Sequence, residues 1–387
     1  TKFGDVPYTT KVLSIKESMS IARTAKATVI ANVLADLDEV INGNYLPTSY
    51  DADNKGRITR WAAMAIKAKI YLFEGNWTQV KNITSTIMTE GGFKLFGSYA
   101  GLFEIANEYK SEVILDAQYR PTSREHQMMY VFLPPTLGGY SQLSPLQELV
   151  DSYIMLDGKT IKETGTSFDE SHPYANRDPR LKATVMYTGN SYTLADGTEV
   201  VINCEKGEGK DGYGVGSDCS ATGYYIKKYW DNTYRATLYS GLNPILIRYA
   251  DILLMNAEAL AELGELDKTA WDATIKPIRD RAGFTLASAL EFPEGASKDK
   301  LIEIVRNERR SELALEGHRH KDIIRWRIAD NVLNGWCHGL KTNDVVGTDD
   351  GYVRVENRTF NANKHYLWPI PQAERDLNGN LEQNPNW

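Results

Sequence analysis

Apolar residues in the first ninety positions recur at helical spacing. Between Ser14 and Asn42, the residues Val29, Ile30, Val33, Leu34, Leu37, Val40 and Ile41 fall at i, i+3, i+4 and i+7. That spacing predicts one amphipathic helix, stopped by Gly43. After a polar loop, apolar stripes run from Ile58 to Glu74 and from Trp77 to Met88, separated by Gly75-Asn76. Helix, glycine turn and helix make an αα-hairpin.

The pattern returns much later. "RYADILLMNAEALAELGEL" (248–266) aligns with "RWAAMAIKAKIYLFEGNW" (60–77) at an offset of 188 residues, the glycine slipping by one. Gly75 and Gly264 stand where each first helix needs a left-handed cap. The second copy continues into a helix around Ala270–Arg281, and helices run on through 298–330. Both copies resemble tetratricopeptide-type hairpins, but 188 residues is no tandem period, so something else separates them. In residues 92–245 the periodicity weakens, and "SEVILDAQY" (111–119) and "TEVVINCEK" (198–206) read as strands among Pro, Gly, Asn and Ser clusters. The expected architecture is mainly α, in a single domain spanning 1–387. Tetratricopeptide-like hairpins at about 14–90 and 246–330 carry an irregular, partly β, Tyr-rich insert at about 92–245, and an ordered coil tail occupies 331–387.

The 387 residues are 42% hydrophobic and 25% charged, which suits a sizeable packed core. A net charge of −7 argues against a nucleic-acid partner, which demands a basic face. Twenty-two tyrosines and eight tryptophans exceed what a core needs and suit stacking surfaces. Cys204 and Cys219 bracket a glycine-rich loop and are candidates to close it as a disulfide, leaving Cys337 over. No CxxC or HExxH occurs, so no zinc site is expected. "DADNKG" (51–56) starts like a calcium loop, but Lys55 holds the fifth position and Ala62 the twelfth, where a bidentate Glu belongs. No motif supports a structural calcium ion, and no cofactor is expected. "GEGKDG" (207–212) matches GxGxxG, but no helix can follow it, so it reads as a loop between strands.

The densest chemistry lies in "ERRSELALEGHRHKDIIRW", Glu308 to Trp326, with four arginines, four acids and two histidines. On a helix with a break near Gly317, Glu308, Glu312 and Glu316 stack along one face, and Arg309 and Arg310 reach neighbouring acids. Asp322 can pair with Arg325 or Arg319. His318 and His320 are two residues apart and so diverge around a helix, whereas helical metal ligands want i, i+4. The stretch reads as an ion-pair lattice tying helices together.

With "RYADILLMNAEAL" before it and "LWPIPQAE…NGNLEQNP" after it, "RNERRSELALEGHRHKDIIRW" closely resembles the SusD/RagB family of outer-membrane lipoproteins. The "KFGDVPY" start and the 60–77 hairpin are similar to the family's central part. His320 departs from the aromatic more usual after Arg319. The resemblance implies a non-catalytic, outward-facing binding protein of the outer membrane. Such a protein captures oligosaccharides, or peptides in some members, for a SusC-like TonB-dependent transporter. It also implies an N-terminal portion ahead of "KFGDVPY", with a lipidated cysteine as membrane anchor.

A sugar-binding site wants exposed aromatic rings beside amides, carboxylates or arginine. "KKYWDNTYRATLY" (227–239) supplies Tyr229, Trp230, Tyr234 and Tyr239 interleaved with Asp231, Asn232 and Arg235, and "LGGY" (137–140) adds Tyr140, freed by two glycines. The competing reading buries the 227–239 aromatics in a strand and makes 137–140 a plain turn. Trp61 and Trp77 sit at core positions of helices. An α-rich glycoside hydrolase and a scaffold binding protein partners through its hairpins stay open as alternatives, as does peptide in place of glycan.

Overall fold

The computed structural model describes residues 2–233 and 237–387. The expected helix from Ser14 to Asn42 is two helices, α1 (Ile15–Ser18) and α2 (Lys26–Asn42). Ser14 and Glu17 form a reciprocal capping box that starts α1. The hydroxyls of Ser18 and Ser20 then donate back to the Ile15 and Lys16 carbonyls, competing with the helix ladder. Arg23 donates to the carbonyls of Asp5 and Glu382, each at 2.8 Å, which holds the intervening segment extended. The carboxylate of Asp5 accepts from Lys26 N at 2.8 Å and so caps α2.

The first hairpin is α3 (Arg60–Glu74) and α4 (Trp77–Glu90), capped by Thr59 and Asn76. Gly75 between them takes φ +68°, a left-handed turn that favours glycine. An irregular region follows, holding β1 (Val113–Asp116), α5 (Met128–Phe132), α6 (Gln147–Val150), α7 (Pro179–Thr184), β2 (Val185–Met186), β3 (Ser191–Thr193), β4 (Glu199–Val201) and β5 (Tyr225–Ile226). β3 pairs with β4 and β2 with β5, both antiparallel. β6 (Ile245–Arg248) returns to pair with β1 and runs straight into α8 (Tyr249–Leu263). The second hairpin is α8 with α9 (Lys268–Ala282), followed by α10 (Ala287–Leu290), α11 (Lys298–Glu312), α12 (Arg319–Arg325) and α13 (Ala329–Val332).

The two hairpins, far apart in sequence, are neighbours in space: α4 packs along α8. Asn256 on α8 donates to the Thr84 hydroxyl of α4 at 2.9 Å, and Lys69 on α3 pairs with Asp251 on α8 at 2.7 Å. The insert is thus looped out between two repeats that stack directly. α8 is buried almost all round, as befits the central helix of the bundle. No helix among the described residues is long and apolar enough to cross a membrane.

The 331–387 tail is not the coil expected. β7 (Gly335–Lys341), β8 (Thr348–Asp349) and β9 (Tyr352–Arg358) form an antiparallel sheet in the order β7-β9-β8, and α14 (Gln372–Leu377) follows. Beyond it, asparagine side chains stitch the tail to the start of the chain. Asn384 donates to the carbonyls of Phe3 and Trp368, and Asn378 to that of Ile21.

The 308–326 stretch is framework. Glu312, with no measurable exposure, accepts from Arg180 at 2.8 Å, Arg248 at 2.6 Å and Arg281. Glu308 pairs with Arg180 and Arg279, both at 2.7 Å. Glu316 pairs with Arg248 at 2.8 Å and Lys228 at 2.6 Å. Arg309 joins Asp251 at 2.6 Å to Asp322 at 2.9 Å, and Arg325 joins Asp322 to Glu258. Arg180 and Lys228 come from the insert, so the lattice locks it onto the 308–316 acids. The helix breaks between α11 and α12, where Leu315 and Gly317 take positive φ. Among the described residues no cluster of His, Cys, Asp and Glu is placed to hold a metal, His318 and His320 included.

Candidate functional site

Much of the tyrosine surplus goes inward. Tyr99, Tyr153, Tyr192, Tyr224, Tyr225 and Tyr229 all lie within the insert's core. The hydroxyls of Tyr192 and Tyr225 donate to the carbonyls of Ile226 at 2.7 Å and Asp211 at 2.5 Å, which is how so polar a ring becomes core material.

That finding revises the expected platform. Tyr229 is 5% exposed, in a left-handed turn, its hydroxyl accepting from Ile245 N at 3.2 Å. Asp231 is also buried. It accepts from Thr233 N at 2.9 Å and from the Ser240 hydroxyl, so it pins its own loop and does not face solvent. Trp230 is half-buried, edge-on to Tyr192 at 5.1 Å, with Nε1 donating to the Thr193 carbonyl. Asn232 is half-buried, and Tyr234 and Arg235 lie outside the described residues. Among its described residues the segment forms no strand, so neither reading of it holds entirely. Tyr140 does project, 40% exposed and stacked on Tyr130 at 4.2 Å, and so does Tyr239, 41% exposed at the end of the 227–239 segment. The Cys204–Cys219 closure is not made. Cys204 is buried in the insert's core, which raises its thiol pKa, while Cys219 Sγ faces the Lys210 carbonyl at 3.3 Å.

A cavity of about 1190 Å³ opens where the tail sheet meets the insert. Two glycines permit that junction. Leu340 N donates to the Thr222 carbonyl at 2.7 Å, and a Cβ on Gly339 would sit 2.6 Å from that same oxygen. Gly223, at φ +74°, lies against the Leu340 side chain. His338 fastens the sheet below, Nδ1 facing Glu148 at 2.8 Å and Nε2 facing Asp349 at 3.0 Å. Against the cost of burial, these two carboxylates raise its pKa and favour the imidazolium.

Phe168, Tyr174, Tyr187 and Tyr352, all half-buried, supply the groove's aromatic surface. Tyr174 and Tyr187 stack at 3.9 Å and 17°, and the Tyr174 hydroxyl meets that of Tyr224 at 3.3 Å. Tyr224 in turn donates to Gln147 at 2.5 Å, fixing the rings from behind. Burial raises the pKa of Tyr174 and Tyr187, so both remain neutral phenols. Around them stand four carboxylates, Glu170, Glu205, Glu208 and Asp344, against two ammonium groups, Lys206 and Lys341. Lys341 pairs with Glu170 at 2.8 Å and Lys206 with Asp344 at 2.5 Å. A net-negative mouth with apolar ring faces suits a neutral, hydroxyl-rich ligand.

Two features bear on catalysis. Ser171, His172 and Asp169 cluster at the rim, but serine and aspartate both address Nδ1 of the same histidine, at 3.2 and 2.9 Å. A relay requires the nucleophile and the orienting acid on opposite ring nitrogens. Hydrogen bonds from Ser171 and then His172 hold Asp169 down to about 2, and Lys206 likewise lowers Asp344. Both shifts oppose what a general acid needs. The groove residues come from separate loops and strands, and no single window of sequence carries the signal.

The SusD family pattern matches residues 102–387. SusD-like protein P25 of Formosa agariphila is 28% identical over 355 residues, 86% of this chain; the chain spans 61% of that relative's length. Among solved structures, a SusD-like carbohydrate binding protein from Bacteroides fragilis superposes with TM-score 0.87 at 29% identity, covering 98% of this chain and 76% of that one. A second SusD-like protein of Bacteroides fragilis gives TM-score 0.82 at 28% identity, over 100% and 76% of the two chains.

Proposed function

We propose that this chain, which belongs to the SusD family, is a non-catalytic protein that captures oligosaccharides in the tyrosine groove. The observation that carries the reading is the groove itself. Half-buried rings from three segments face a mouth of carboxylates, amides and lysines, and sugar C–H faces and hydroxyls match those two surfaces. The likeness to the SusD-like carbohydrate binding protein of Bacteroides fragilis supports the same ligand class. Tyr229 and Asp231 act as framework, while Tyr140 and Trp230 offer further ring surface and Asn232 a further amide outside the groove lining. The whole chain works as one unit, the stacked hairpins presenting the insert. By family resemblance the bound glycan passes to a SusC-like TonB-dependent transporter docked on the helical half. The protein is then held at the outward face of the outer membrane by a lipid on a preceding segment.

Calorimetry of the purified chain against neutral plant, host and microbial glycans and a peptide mixture, with product formation followed in parallel, tests this. Saturable glycan binding without turnover, weakened in Tyr187→Ala, is the expected result. Cleaved product overturns the non-catalytic assignment, and binding to peptides alone replaces the ligand class.

A further inference from the structure

Two arginines stand outside the ion-pair lattice. Arg309 and Arg325, in the same stretch, each bond two carboxylates. Arg310 bonds only the backbone carbonyl of Glu148, and Arg319 lies 5.9 Å over the Trp326 ring. Among the described residues neither has a carboxylate within ion-pair distance, although Glu148 and Asp151 act on Arg310 and Asp322 on Arg319 from farther off. Both line a cleft of about 530 Å³ along the outer face of α11, together with Arg306. The volume falls in the range of small-molecule sites.

Leaving two guanidinium groups close together and half-buried is costly. Burial, and then the charge of Arg319, bring Arg310 down to about 10. Buried charges in folded proteins are ordinarily paired, as Arg309 and Arg325 are here, while the buried Arg177 is satisfied by the Tyr153, Pro173 and Val150 carbonyls. One anion placed between the two groups would replace a repulsion with two attractions, using the planar donor fork that suits a carboxylate.

The rest of the lining narrows the ligand. Glu262 neutralises Arg306 at 2.9 Å, and Asp299 and Glu303 stand on α11 at the cleft. Three carboxylates against three guanidiniums leave no net charge to attract a dianion such as phosphate. The two rim acids, Glu303 already bonded to Lys300 at 3.2 Å, have oxygens free to accept from ligand hydroxyls, and Ile302 and Ile328 offer an apolar face. We propose that this cleft binds a sugar bearing a carboxylate, the carboxylate held by Arg310 and Arg319 and the ring hydroxyls by Asp299 and Glu303. The choice of a sugar rests on the glycan reading of the groove; the carboxylate rests on the arginines alone.

The test is calorimetry of the full chain with glucuronate, glucose, inorganic phosphate and N-acetylaspartate. Glucuronate is expected to bind saturably and glucose, lacking the carboxylate, at least tenfold more weakly. Arg319→Gln should lose at least tenfold in glucuronate affinity. Tyr187→Ala should leave it within twofold. Glucuronate binding equal in the native chain and Arg319→Gln overturns the proposal, as does no binding at all. Phosphate or N-acetylaspartate binding as tightly as glucuronate overturns the sugar-acid assignment. Loss of neutral-glycan binding everywhere, with glucuronate binding and its Arg319 dependence intact, defeats the groove reading and leaves this one standing.

Discussion

The lattice around α11 and the tyrosine groove use the same side chains to opposite ends. In the lattice, Glu308, Glu312 and Glu316 are nearly inaccessible, and each meets two or three cationic partners from other elements. In the groove, Glu170 and Asp344 each meet one lysine and stay largely hydrated. The difference is one of leftover bonding capacity. A carboxylate whose lone pairs are all taken by buried arginines fixes geometry and has nothing to offer a ligand. One that is half in water can exchange water for a hydroxyl at little cost. Charge density along the sequence therefore marks the scaffold, and the binding surface lies where charge is sparse and mixed with rings.

The sharpest way to break the comparison is to remove one lattice carboxylate. Glu312→Ala leaves Arg180, Arg248 and Arg281 short of a partner in a dry environment, and is expected to destabilise by about 3–5 kcal/mol. Denaturant unfolding followed by circular dichroism measures it. A change under about 1 kcal/mol would mean that the lattice is slack and that its acids are available for other work.

Acid should find the same weakness from another direction. Burial, reinforced by Arg309 and Lys69 against the pull of Asp251 and Glu316, holds His318 down to about 4. An unfolded chain's imidazole titrates near 6.5. Between those values the unfolded state takes up a proton that the folded state refuses, so stability is full above about pH 6.5 and falls toward pH 4, by about 3 kcal/mol. Against the cost of burial, Arg248 and Lys228 hold Glu316 down to about 2. Its contribution is present above the unfolded value near 4.5 and is lost as pH falls through 2. Melting temperatures from pH 8 to 4 report the first limb, and His318→Gln should flatten it.

In the groove the effects move from stability to affinity. Tyr187→Ala removes one ring of the stacked pair and should weaken a bound neutral glycan by about 2- to 10-fold, the range of a single aromatic contact. The parallel change Trp230→Ala, at a ring that packs edge-on against Tyr192 away from the groove lining, should change that affinity less. Calorimetry on the two variants side by side decides which surface carries the ligand.

How much of this could be read beforehand follows the same division. Both hairpins, their glycine caps and the ion-pair character of 308–326 were legible, because helical periodicity and capping are local signals. The split of the first helix was not, since Arg23 is held by Glu382, at the other end of the chain. The tail's sheet was hidden by short strands full of polar residues, such as Thr348-Asp349. The 227–239 aromatics misled for a physical reason: tyrosine is amphipathic, and composition alone does not say whether its hydroxyl meets solvent or a buried carbonyl. Tyr352 joins Tyr174 and Tyr187 where the Gly223 and Gly339 contacts seat the tail sheet against the insert, a junction that no sequence window contains.

The smallest expected effect is the most discriminating for the comparison. Lys228 and Lys341 each pair with one glutamate, at 2.6 and 2.8 Å, and by distance alone the bridges look equivalent. Lys228 has no exposed side-chain surface, sits 4.2 Å over the Phe103 ring and has its pKa pulled to about 8 by burial, against the attraction of Glu316. The Lys341 side chain is 42% exposed and Glu170 69%, so solvent screens their attraction and each has alternative partners in water. Lys341→Met should leave the denaturation midpoint where it was, whereas Lys228→Met should shift it clearly. Only the Lys341 change should alter glycan binding, and then by less than about threefold, through the rim of the groove. A large midpoint shift in Lys341→Met would mean that the groove's rim is structural after all, and the line between scaffold charge and surface charge would have to move.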